Sequence, residues 1–254
     1  MSWAARRRFL ILLIVGACLT AFLLTIAIAT FHKTPSCTDN TQNQDEEGID
    51  CGGSCPYLCS AQKQPPTVLF TKALTNSSGR TDVVAAIENK NAFAAAKNVP
   101  YRITLYGAKQ SLIQEVTGTV DLLPSATALV YVPGVASGKQ VVVGAFLSIA
   151  SSSPQWFLMT TDPRIVPNVS NTQQGGTPDA PRIEAVLSNS SVITLHTVPV
   201  IVMVRDTRGE VIAASKTLVS TIPAQGQATA IVTWNSAFTS TPASIEVVPI
   251  IPLP

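Results

Sequence analysis

The chain has 254 residues, enough for one large or two small domains, and its 17 basic and 15 acidic side chains leave it nearly neutral. No basic stripe of the kind that grips nucleic acid is present, so a nucleic-acid partner is excluded. Only 13% of residues are charged, low for a soluble protein.

Part of that deficit lies at the N-terminus. Residues 9–31, "FLILLIVGACLTAFLLTIAIATF", carry no charge and as a helix would extend about 35 Å, enough for the hydrocarbon core of a bilayer. Arg6, Arg7 and Arg8 precede the run and only His32 and Lys33 closely follow it, so the positive-inside bias puts residues 1–8 in the cytoplasm and everything after about residue 32 outside. Two rival readings use the same residues. "VGAC" resembles a lipobox ending at Cys18, but only nine apolar residues separate it from Arg8 and the apolar run continues beyond it. "AIA" at 27–29 has the form of a signal-peptidase site, after an apolar run longer than the usual h-region. All three export the remainder; length favours the uncleaved anchor.

Residues 32–63 form an acidic cysteine module and linker. Cys37, Cys51, Cys55 and Cys59 are even in number, and no other cysteine follows the helix. In an oxidising compartment they read as two disulfides, with three pairings that spacing cannot choose among. The module has too little apolar content for a core, so it needs staples. Zinc is disfavoured because its ligands usually come as two close C-x2-C pairs, whereas the gaps here are 13, 3 and 3 residues. The C-x-x-C of a thioredoxin-like redox site is missing too. Asp39, Asn43, Glu46 and Asp50 offer oxygen ligands for calcium; otherwise they are a solvated face. Gly52 and Gly53 are expected to supply a positive-φ turn. The arrangement resembles a short extracellular motif of the form C-x-D-x-x-x-N-x-x-E-x-x-x-D-C-G-G-x-C-x-x-C, with Cys59 one residue later than its usual ending. That resemblance assigns no role.

Beyond the linker, short apolar runs predict strands at 68–73, 82–88, 99–106, 111–120, 127–132 and 140–149. A second series is expected at 156–159, 182–187, 198–205, 210–219, 228–234 and 243–248. The series are copies: "VVAAIEN" sits over "IEAVLSN", and "VPYRITLYGAKQSLI" over "VPVIVMVRDTRGEVI", at offsets of 100 and 99. Each unit is about 95 residues, the size of one sandwich. Tyr101, Ile103 and Leu105, and likewise Val200, Val202 and Val204, alternate onto one face that can line a core. Asp206 and Gly209 are turn formers in the second copy, where the first has Gly107 and "AKQS". The units resemble the FxLYD type of immunoglobulin-like bacterial surface domain. The first copy matches it at Asn89, Leu105, Tyr106, Ile113, Leu123 and Pro124, the second at Asn189, Val204, Asp206, Gly209, Ile212, Ile222 and Pro223. The resemblance implies a fold and a surface location rather than a reaction.

The expected fold is therefore all-β: two tandem immunoglobulin-like antiparallel sandwiches, at 64–160 and 161–254, behind an N-terminal transmembrane helix. His32 and His196 have no catalytic partners in view, "GVASGKQ" at 134–140 departs from a phosphate-binding loop, and Trp156 and Trp234 read as packing residues. Asn76, Asn168 and Asn189 stand in glycosylation sequons. No enzyme is expected, and no cofactor beyond calcium. The expected function is a membrane-anchored cell-surface protein, with the bilayer as one partner through residues 9–31 and a protein or surface ligand as the other. The rival is an accessory or sensor subunit of a membrane or pilus machine.

Overall fold

The computed structural model describes residues 3–31, 35–136, 141–150 and 154–254. His32, and Lys139 in the 134–140 segment, lie outside them. The chain divides into two compact units, Met1–Pro56 and Tyr57–Pro254.

In the first unit, α1 (Trp3–Phe31) contains an apolar stretch of mean hydropathy 2.8 with none of its window buried, long and apolar enough to cross a membrane. Two of its hydroxyls turn back onto the helix backbone: Thr20 Oγ1 lies 3.0 Å from the carbonyl oxygens of both Gly16 and Ala17, and Thr25 donates to the carbonyl of Phe22.

The second unit is built of four antiparallel sheets forming two immunoglobulin-like sandwiches. In the first sandwich, β2 (Thr67–Thr75), β3 (Thr81–Asn89) and β6 (Ala126–Ala136) form one sheet. The other contains β4 (Ala94–Tyr106), β5 (Leu112–Leu122) and β7 (Gly144–Ile149), with β8 (Trp156–Leu158) and β1 (Tyr57–Leu58) at its far end. β7 pairs with residues 101–106 of β4 and β8 with residues 94–96 of the same strand. The second sandwich repeats this plan. β9 (Asn168–Thr177), β10 (Ala180–Ser188) and β13 (Gln227–Thr233) correspond to β2, β3 and β6, while β11 (Leu195–Asp206), β12 (Val211–Ile222) and β14 (Pro242–Pro249) correspond to β4, β5 and β7.

Three expectations change. The strand at 156–159, counted at the head of the second series although within the 64–160 bounds expected for the first sandwich, belongs to the first sandwich through its pairing with β4. The true opening strand of the second copy is β9, which the sequence reading lacks because "NVSNTQQGGT" has a single apolar residue and no alternation. Likewise Tyr57–Leu58, assigned by sequence to the cysteine module, is a strand of the sandwich sheet.

Each sandwich has its own core. Val83, Ala85 and Ile87 of β3 meet Val99, Ile103 and Leu105 of β4, with Trp156 also buried. Ile183 and Leu187 of β10 meet Val198, Val200, Val202 and Val204 of β11. A third cluster joins the sandwiches: Val84, Ala86, Leu129 and Tyr131, on the outer face of β3 and β6, pack on Ile201, Met203, Val211 and Ala214 of β11 and β12. The sandwiches are thus stacked in four layers, with three apolar interlayers. Around this contact Lys72 pairs with Glu210 at 3.1 Å, and the Arg205 guanidinium lies 5.1 Å from the Phe70 ring centroid. The final residues also bridge the two. Leu253 is buried against Ala95 and Met159, and its N–H donates to Asp121 Oδ2 at 2.7 Å.

The contact joins unlike faces, an arrangement that would propagate into a filament if every copy carried both. The repeat has diverged at several of these outer-face positions. By the repeat offset, Ile201 and Met203 correspond to Arg102 and Thr104, and Val84 and Leu129 to Glu184 and Thr229. The two unstacked faces carry their own ion pairs, Arg102 with Glu115 and Arg182 with Glu184.

The matched turns and asparagines serve as local scaffolding. Asn89 Nδ2 donates to the carbonyls of Ala94 and Leu123, and Asn189 Nδ2 to those of Ile193 and Pro223. Gly209 takes φ +79° in the second copy; in the first, Lys109 and Gln110 carry the left-handed conformation instead, so the turn reaches the same end with different residues.

Candidate functional site

The cysteine module brings its predicted residues together. Cys37 and Cys55 are joined by a disulfide with Cα atoms 5.6 Å apart, and Cys51 and Cys59 are each in a disulfide as well. Cys18, in α1, is a free thiol. Gly52 and Gly53 take φ of +77° and +58°, and a Cβ on Gly53 would collide with the carbonyl oxygen of Asp45, so the turn requires glycine there.

The acidic side chains organise the loop by accepting backbone N–H groups. Asp50 Oδ1 accepts from Asp39 and Asn40 at 3.0 and 3.2 Å, and its Oδ2 accepts from Asn40 at 3.0 Å. Asp39 accepts from Thr41 through Oδ1, and from Ser36 and the Asn43 amide through Oδ2. Glu46, buried, accepts from Asn43 and Asp50 through Oε2. Asp45 accepts the Ser54 hydroxyl at 2.8 Å, and that bond holds its carboxyl below the ordinary range. Calcium wants about six to eight converging oxygens. To bind here it would have to take these carboxylates from N–H donors, and among the described residues Asn43 Oδ1 is the buried side-chain oxygen without a hydrogen-bond partner. The Sγ atoms of Cys37 and Cys55 and a Glu46 oxygen lie within 4.8 Å of one another, but the two sulfurs are bonded to each other and are not thiolate ligands.

The other candidates resolve individually. His196 is exposed and pairs with Thr221 within the β11–β12 ladder. Trp156 is buried in the first core; Trp234 is half-buried beside the second, edge-on to Phe238 at 5.2 Å. Asn189 is buried with its amide nitrogen engaged, which removes it as a glycosylation acceptor. Asp206 is buried in its turn. Desolvation raises its pKa, but hydrogen bonds from the Arg208 side chain and from the N–H groups of Arg208 and Glu210 outweigh it, leaving the carboxyl below the ordinary range.

The sequence reading missed the face that joins the sandwiches. A signal was present: "VPVIVMVRD" is apolar at Ile201 and Met203 as well as at the core positions, so β11 has two faces to bury. β3, "DVVAAIEN", shows the same excess.

No family model matches the chain, and no curated protein does. Among solved structures, a β-glucuronidase from glycoside hydrolase family 2 is similar at 11% identity and a TM-score of 0.21, over 83% of this chain and 26% of that one. The chain spans about a quarter of that enzyme's length, and a likeness this low carries no argument about fold or activity.

Proposed function

We propose that the chain is a non-enzymatic, single-pass membrane protein, N-terminus inside, whose exported part offers two immunoglobulin-like sandwiches for adhesion or protein–protein contact at the cell surface. The observation that carries this reading is the disulfide-bonded module that follows an apolar helix in the chain. Disulfides persist in oxidising compartments, and three arginines before the helix favour retention of the N-terminus inside. The stacked sandwiches support it further: a buried contact between them gives a stiff body, which suits presentation of a surface to a partner.

Alkylation of cells before lysis, followed by mass analysis of the isolated chain, tests the compartment. Modification of Cys18 alone, with the other four cysteines released only by reductant, is expected. Four freely alkylated module cysteines would overturn the exported reading.

A further inference from the structure

Between the two sandwiches lies a cavity of about 510 Å³. The first sandwich contributes the turn at 76–80 with Asp82 and Tyr131; the second contributes Ser215 and residues 233–239. Ligand sites of about 300–1,000 Å³ favour such junctions.

The chemistry of the walls narrows the ligand. Asp82 is saturated: Oδ1 accepts the N–H of Gly134 at 2.6 Å and Arg80 Nε at 3.0 Å, while Oδ2 accepts the Tyr131 hydroxyl at 2.7 Å. The terminal guanidinium nitrogens of Arg80 have no partner among the described residues, so this exposed side chain can still donate hydrogen bonds. Its charge is balanced by Asp82, which weakens the attraction for a free anion. Much of the remaining lining is hydroxyl or amide, including Ser77, Asn235, Ser236 and Thr239, and these groups both donate and accept. Trp234 adds a large, flat apolar surface at the same wall. By the repeat offset, Gly134 stands where the second copy has Trp234, so the first sandwich forms without an indole there; in the second, Trp234 also packs beside the core and its Nε1–H donates to the Ala214 carbonyl.

We propose that this cleft binds a neutral oligosaccharide, with Trp234 under a sugar ring and with Arg80 and Asn235 donating to its hydroxyls. This goes beyond the surface-contact role and does not depend on which partner the outer faces meet.

The test uses the full chain in lipid nanodiscs, avoiding sugar-headed detergents. Tryptophan fluorescence is followed against maltotriose, cellotriose, mannotriose and an N-acetylglucosamine trimer, with a galacturonate trimer as the anionic control. Trp156 is buried and Trp3 lies in α1, so a saccharide response reports Trp234. At least one neutral trisaccharide is expected to give a saturable change, weakened more than about tenfold in Arg80→Ala and in Asn235→Ala. Both residues are exposed, and an unchanged melting temperature verifies that each variant folds; should one melt early, the other decides. The proposal is overturned by no saturable response up to about 10 mM, a dissociation constant too weak for a built site. Binding that survives both substitutions, or a galacturonate trimer that binds more tightly than every neutral one, overturns it equally.

Discussion

Met203→Ala tests whether the sandwiches act as one body. Met203 is fully buried in the cluster between them, on a β11 face that would be open to solvent if the two were independent. Truncating a buried methionine to alanine removes its transfer free energy and leaves a cavity, together about 2–5 kcal/mol. The repeat supplies an internal control. Thr104 occupies the corresponding position on β4, whose outer face is not stacked, and Thr104→Ala should stay within about 0.5 kcal/mol. Urea unfolding of the full chain in nanodiscs gives both values from the shift in midpoint at constant slope. Hydrogen exchange then localises the loss: Met203→Ala should lower protection in β3 as well as β11, since both flank the cluster. A cost below about 0.5 kcal/mol for Met203→Ala, or equal costs for both variants, would refute the stacked arrangement.

The other predictions address the tail, the turn and the module. Leu253→Ala should detach residues 250–254 and expose the Ile250 amide, whose N–H donates to the Pro199 carbonyl; unchanged exchange there would remove the tail as a clasp. Asp206 contributes stability above the unfolded carboxylate pKa of about 4, lost as pH falls through its lower folded value. Asp206→Asn should therefore flatten the acid limb of the stability–pH curve below about pH 4, and an unaltered limb would contradict the turn's electrostatics. Removing the Cys37–Cys55 bond, which spans 18 residues, by double serine substitution should cost the module about 3 kcal/mol, read as faster proteolysis between residues 37 and 55. Calorimetric titration of calcium should give no saturable heat, because the acidic oxygens already accept N–H groups. Stoichiometric binding abolished by Asp50→Ala would show instead that the loop rearranges around a cation.

Strand positions were legible where alternation is strong. All twelve expected runs overlap strands, and the offset between copies correctly foretold that β3 and β10, or β4 and β11, are equivalent. β9 was illegible because an exposed edge strand buries almost nothing and so leaves no hydrophobic period. The layered stacking was legible in principle, as an excess of apolar residues on the second face of β3 and β11, but alternation searches weigh only one face. Disulfide pairing depends on how the backbone turns at Gly52 and Gly53, and linear spacing does not encode it. The acidic residues illustrate a further limit. Asp39, Asn43, Glu46 and Asp50 do come together as the motif suggests, yet a carboxylate that organises a loop and one that holds a cation look alike until its N–H partners are seen.

The most direct test of the account is labelling of intact cells with a membrane-impermeant, amine-reactive reagent, followed by peptide mapping. The account predicts modification of exposed lysines in the sandwiches, Lys72 and Lys90 among them, before the cells are lysed. Lysines that react only after lysis would place the sandwiches inside and contradict it.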